Sequence, residues 1–152
     1  MTIALGFPYS DGIMVCSDSQ MTYPTGAKYT DHKIFAGEIE EFPCIFAFAD
    51  QSGLANEIKT KIFKKLARLC QESGQSLSIE DACGVVESIM NEQGRLYVDL
   101  PLEFFLAAYP QNEEPAIIHF DGKSVNVKTN DIVTLGCGNE PLRNLCTGQQ
   151  PA

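Results

Sequence analysis

Residues 2–19 read TIALGFPYSDGIMVCSDS, and the fold is decided there. Thr2 to Phe7 reads as a short strand and Ile13 to Ser17 as a second. Between them Pro8-Tyr9-Ser10-Asp11-Gly12 forms a turn, with the Asp-Gly pair expected to supply a positive φ cheaply. The two strands make a hairpin, which returns Asp18 to the neighbourhood of Thr2. A threonine at the head of a strand is ordinary, since β-branched residues suit strands. It has a second reading. If Met1 is removed, Thr2 carries a hydroxyl and a free α-amine on one residue. Such an amine titrates near about 8, so it can act as the base that a threonine hydroxyl needs before it becomes a nucleophile. A nearby cation lowers the amine's pKa. Lys33, within Thr30-Asp31-His32-Lys33-Ile34-Phe35, is the candidate. A partly buried lysine in turn needs a carboxylate, and Asp18 can supply it.

Downstream, Pro24-Thr25-Gly26 is a turn and Lys28 to Phe35 reads as extended. Phe42 to Ala49 is nearly continuous apolar sequence, the pattern of a strand covered on both faces. Helical period follows. Leu54, Ile58, Ile62, Leu66 and Leu69 form one stripe of a long amphipathic helix. Lys59, Lys61, Lys64, Lys65 and Arg68 occupy its other side, read as a solvated face. Ser73-Gly74-Gln75 ends that helix. Ser78 with Asp81 resembles a capping box for a second helix, with Ala82, Val85, Val86, Ile89 and Met90 buried. Gly94 and Pro101 bracket its exit. Strands return at Glu103 to Tyr109, Ala116 to Phe120, Ser124 to Val127 and Ile132 to Leu135, the middle two joined at Asp121-Gly122. Gly136-Cys137-Gly138 leads to a helix start at 139–141, and 147–152 read as a loose tail. Strands, two helices and more strands in blocks indicate α+β with antiparallel sheets, in one domain spanning 1–152.

The chain of 152 residues has 11 Lys and Arg against 20 Asp and Glu, a formal net charge of -9. Such a surface repels phosphate backbones and anionic membranes, which argues against nucleic-acid and membrane partners. Six scattered cysteines without a C-x-x-C pair read as free, mostly buried thiols of a reducing compartment, and a cytoplasmic protein is the expectation. The two histidines, His32 and His119, stand apart from any ligand cluster, so no metal site is expected. No Walker, dinucleotide or H-E-x-x-H motif is present, and no cofactor is expected.

The ordered set Thr2, Asp11-Gly12-Ile13, Cys16-Ser17-Asp18-Ser19 and Lys33-Ile34 resembles the N-terminal signature of proteasome β-type subunits and the HslV peptidase, within the N-terminal-nucleophile (Ntn) hydrolases. Ile45 to Asp50 resembles the strand before that family's first long helix, and the later order fits through about residue 145. The resemblance implies a four-layer αββα sandwich and a Thr2 nucleophile supported by Asp18 and Lys33. It implies an oxyanion donor, a backbone N–H at Ala47 or Phe48, where the family usually has Gly. Gly136-Cys137-Gly138 stands for the family's Gly-Ser-Gly, which places Gly136 and Gly138 at the substrate side and makes Cys137 a substitute for a serine hydroxyl. It implies a homo-oligomer, in rings for many members, a peptide or protein substrate, and often an ATP-driven unfoldase. The chain lacks the family's usual C-terminal helices and strands, so a minimal fold, completion by another subunit and a degenerate product are all open. The expected function is a threonine-type amide hydrolase, a peptidase. The alternative is a catalytically inactive, proteasome-like structural or ring-forming subunit. A third reading is an unrelated small-molecule-binding α+β domain.

Overall fold

The computed structural model describes residues 3–22, 25–50, 52–96 and 102–136. Along the chain run β1 (Ile3–Tyr9), β2 (Gly12–Ser17), β3 (Gln20–Thr22), β4 (Lys28–Thr30), β5 (Ile34–Gly37) and β6 (Cys44–Asp50). Helices α1 (Ser52–Ser73) and α2 (Ile79–Leu96) follow. Then come β7 (Leu102–Ala108), β8 (Ala116–Phe120), β9 (Val125–Lys128) and β10 (Val133–Gly136). The strands form an antiparallel five-stranded sheet in the order β5-β6-β7-β8-β9, a three-stranded sheet β10-β1-β2 and a β3-β4 ribbon. The helices cover one face of the larger sheet and the smaller sheet covers the other. Among the described residues these are three layers, α, β and β.

Strand alternation builds this stack. In β6, Phe46 and Phe48 enter the core shared with the helices, and Ala47 and Ala49 enter the core between the sheets. In β7, Phe104 and Leu106 take the first side, Phe105 and Ala107 the second. The helices contribute Ala55, Ile58, Ile62 and Leu66 from α1 and Ala82, Val85, Val86 and Ile89 from α2, both at helical spacing. The basic side of α1 is solvated at Lys61, Lys64, Lys65 and Arg68, while Lys59 reaches over the Phe35 ring at 3.7 Å.

The helix ends follow their sequence signals. Gly74, at φ 61°, takes the left-handed turn after α1. Before α2 the Asp81 N–H donates to Ser78 Oγ at 3.0 Å, and the Ser78 N–H donates to Asp81 Oδ2 at 3.1 Å, a reciprocal capping box. Glu113, from the loop before β8, accepts the Ile79 N–H at 2.8 Å and adds a carboxylate to that N-terminus.

Several expectations are corrected. Tyr9 pairs with Gly12, so Ser10 and Asp11 form the turn, and Gly12 sits in β2 without a positive φ. The Asp121-Gly122 turn behaves as expected: Gly122 has φ 97°, and Asp121 Oδ1 accepts the Lys123 and Ser124 N–H groups, each at 2.9 Å. Residues 28–35 are two strands rather than one, broken at Asp31-His32-Lys33. α2 ends at Leu96, between Gly94 and Pro101 as expected. Of the described cysteines, all free, Cys44 is buried, Cys70 and Cys83 are half-buried, and Cys16 is exposed. The helix start at 139–141 and the tail 147–152 lie outside the described residues. No described helix is long and apolar enough to cross a membrane.

Candidate functional site

The start of β1 is where the expected site residues converge. Hairpin register places Ala4 opposite Ser17, so Asp18 arrives beside Ile3. The Asp18 N–H donates to the Ile3 carbonyl at 3.0 Å, and the Ile3 N–H donates to Asp18 Oδ1 at 2.9 Å. Oδ2 accepts the Gln20 N–H at 3.3 Å. Asp18 thus clamps the first described residue of β1 with both its backbone and its side chain.

Lys33 comes to the same place because the chain breaks between β4 and β5. Asp31 donates its N–H to the Ser19 carbonyl at 2.9 Å, and its Oδ1 accepts the His32 N–H at 2.8 Å. That kink leaves His32 exposed and Lys33 inside, 1% exposed. The Lys33 carbonyl accepts the Phe48 N–H at 3.3 Å, which fixes its backbone to β6. Its ammonium donates to Asp18 Oδ1 at 3.0 Å and to the Gln20 carbonyl. A buried ammonium is tolerated only when so satisfied. Burial opposes ionisation of Asp18. The Ile3 N–H, the hydrogen bond and charge of Lys33, and the Gln20 N–H outweigh it, holding the carboxyl below the ordinary aspartate range.

Of the other expected site residues, Gly136 ends β10 directly opposite Ile3, at φ 86°. It therefore stands at the same end of the sheet as Asp18. Ala47 is wholly buried in the middle of β6, flanked by Ile34 and Phe105 in the neighbouring strands. Because Phe48 directs its N–H to the β5 side, alternation directs that of Ala47 to β7. Thr2, Cys137 and Gly138 lie outside the described residues. Sequence reading missed the Gln20 carbonyl and the Ile3 N–H. Both act through the backbone, so their side chains carry no signal. Among the described residues, no group of three or more His, Cys, Asp or Glu is placed to hold a metal ion.

No protein-family model and no curated protein matches the chain. Solved structures do. A Gly-1 mutant of Anbu from Hyphomicrobium sp. strain MC1 matches with a TM-score of 0.72 and 15% identity, over 90% of this chain and 60% of that one. Anbu from Yersinia bercovieri, described as an ancestral beta-subunit, matches at 0.66 and 17%, over 88% and 60%. A helical assembly of the Anbu complex from Pseudomonas aeruginosa matches at 0.63 and 17%, over 98% and 68%. The chain thus spans about three fifths of the length of the first two.

These matches correct the functional expectation. They are to Anbu proteins, one an ancestral beta-subunit and one a helical assembly. They overturn the reading of an active N-terminal threonine peptidase and its proteolytic role. They lend no support to a particular peptide substrate or to an unfoldase partner. At 15–17% identity the shared property is the fold: the chain's antiparallel sheets and two helices are consistent with the Ntn-hydrolase-like αββα sandwich of the Anbu structures, a distant, low-identity relationship.

Proposed function

We propose that this chain is a catalytically inactive, proteasome-like subunit whose role is to build an oligomer. The observation that carries the reading is the fold match to Anbu structures, one of them a helical assembly aligned over 98% of this chain. The Lys33 ammonium is occupied by Asp18 and the Gln20 carbonyl, and the Phe48 N–H by the Lys33 carbonyl. In this role Asp18 and Lys33 hold the starts of β1 and β5 together, and Gly136 turns the chain at the same end of the sheet. The three form a structural joint. On composition and cysteine pattern the subunit works in the cytoplasm as a single domain.

Sedimentation velocity and negative-stain electron microscopy test the proposal over a range of protein and salt concentrations. Discrete oligomers are expected, with association increasing as salt rises, because each copy carries a net charge of -9. A monomer at every protein and salt concentration overturns the reading.

A further inference from the structure

The edge strands of the two sheets are not alike. β5, β9 and β10 have four residues each, and β2 has six. Exposed edges are ordinarily blunted by charge, by proline, by shortness or by a break in the extended backbone. β9 carries Lys128, β5 has the Lys59 ammonium over its Phe35 ring, and β10 ends in the left-handed Gly136. β2 reads Gly12-Ile13-Met14-Val15-Cys16-Ser17, with neither a charge nor a proline. Among the described residues it pairs with β1 alone, so its other edge is open. Register fixes which groups that edge offers. Asp18 donates its N–H to the Ile3 carbonyl, so Cys16 and Met14, two and four residues earlier, also turn their backbone groups to β1. Ile13, Val15 and Ser17 turn theirs outward. Side chains alternate too. Ile13 and Val15 pack on the core between the sheets, while Met14 is 52% exposed and Cys16 is exposed beside it on the outer face.

We propose that β2 joins two copies of this chain, antiparallel about a two-fold axis at Val15, so that two three-stranded sheets become one. The inference rests on the assembly reading and names its contact. A second copy is the occupant because the edge is complementary to itself. With Val15 opposite Val15 of the second copy, Ile13 falls opposite Ser17 and Ser17 opposite Ile13. Each of these pairs exchanges two backbone hydrogen bonds, and no outward N–H or carbonyl of the three residues is left over. On the outer face the same register sets Met14 opposite Cys16, so each copy covers the side chains that the other exposes. The strand holds no charge. Salt then screens only the repulsion between two copies of net charge -9, in line with association that rises with salt.

Thiol trapping in the full chain tests the register. Met14→Cys places a new thiol opposite Cys16 of the second copy, where the Cα atoms of a non-hydrogen-bonded pair lie about 4.5 Å apart, within disulfide reach. Two copies of Cys16, or two of the introduced thiol, stand diagonally at about 7–8 Å, beyond that reach. Mild oxidation with copper-phenanthroline should therefore give a covalent dimer with Met14→Cys. It should give none with the unaltered chain or with Met14→Cys, Cys16→Ser. Val15→Pro, followed by sedimentation velocity, removes an outward N–H and leaves the ladder to β1 intact. It should raise the dissociation constant roughly tenfold or more, with the melting temperature checked alongside. The thiol pair decides the matter if the proline variant does not fold. The contact is overturned if Met14→Cys gives no dimer, if the dimer forms equally without Cys16, or if a folded Val15→Pro associates as the unaltered chain does. Discrete oligomers that persist through those results leave the assembly reading standing. A monomer at every protein and salt concentration overturns both.

Discussion

The two faces of the five-stranded sheet are filled in opposite ways. Toward the helices it presents Phe46, Phe48, Phe104, Leu106 and Ile118. Toward the smaller sheet it presents Ala47, Ala49 and Ala107, with Phe105 and Ile117 as its large buried side chains and Ile34 and Ile45 partly buried at its margin. Helices are round and leave wide gaps over a sheet, so big rings fill them. Two sheets pack flat at about 10 Å, and a large residue on one needs a small one opposite. Gly6 of β1 meets that need: a Cβ there would lie 2.9 Å from the Phe105 ring and 3.3 Å from Ile117. One core is therefore sensitive to lost volume and the other to added volume.

The largest effect expected is on the helix side. Phe46 is wholly buried, its ring 5.1 Å from that of Phe104 and 6.4 Å from that of Phe63. Phe46→Ala should cost about 3–5 kcal/mol, from lost transfer energy and the cavity left behind. Urea unfolding measures it. A loss below about 1 kcal/mol would mean that the helices collapse onto the gap, and the contrast between the faces would fail.

The polar joint at the start of β1 comes next. Asp18→Asn leaves the Lys33 ammonium buried without its counter-charge. A buried pair broken in this way costs about 3–5 kcal/mol. The Asp18 side chain is 35% exposed, so solvent screening reduces the expected loss to about 2–4 kcal/mol. The pH sign follows from the lowered native pKa of Asp18: burial, the largest single contribution, raises it, and the Ile3, Lys33 and Gln20 contributions together outweigh burial. Its stability contribution is complete above the unfolded value of 3.8 and is lost as pH falls through the lower native one. Asp18→Asn should therefore remove part of the acid sensitivity below about pH 4. Equal acid titrations for the two proteins would contradict the joint.

Between the sheets the test is addition. Gly6→Ala should cost about 1–3 kcal/mol by overpacking, because Phe105 is itself wholly buried. Phe105→Leu in the same chain should recover part of that loss, a coupling that a double-mutant cycle reads directly. Additive losses would place the strain elsewhere.

These contrasts show what the sequence could convey. A continuous apolar run gave away β6, apolar residues at helical period gave away α1 and α2, and Ser78 with Asp81 announced the cap of α2, because each signal is local. The Asp18–Lys33 joint was legible only in its side chains. Its other half is backbone, the Ile3 N–H and the Gln20 carbonyl, and depends on hairpin register. The break at Asp31-His32-Lys33 escaped because its first tie is to Ser19, 12 residues earlier. Gly12 misled for the converse reason: an Asp-Gly pair is a turn signal, yet register moved the turn back to Ser10 and Asp11. The peptidase reading rested on residue types in order, which a distant relative keeps when the fold is kept.

The smallest expected effect also lies on the side between the sheets. His119 of β8 pairs with Phe105, and its Nε2 is buried without a hydrogen-bond partner. Burial pushes its pKa below the ordinary histidine value of 6.5, Asp121 opposes that shift and Lys128 adds to it. A histidine held neutral in the native state binds its proton more readily once unfolded. Its contribution is therefore complete above about pH 6.5 and declines as pH falls through the unfolded value toward the lower native one. The urea midpoint should drop between pH 7.5 and 5.5, with a slope below about 1.4 kcal/mol per pH unit for one site. His119→Gln should flatten that segment and leave the Asp18 transition below pH 4 in place, so the two titrations separate by range. A midpoint that rises on acidification would mean that the protonated imidazole is the form the folded chain prefers, and the side between the sheets would then hold a charge where burial favours a neutral ring.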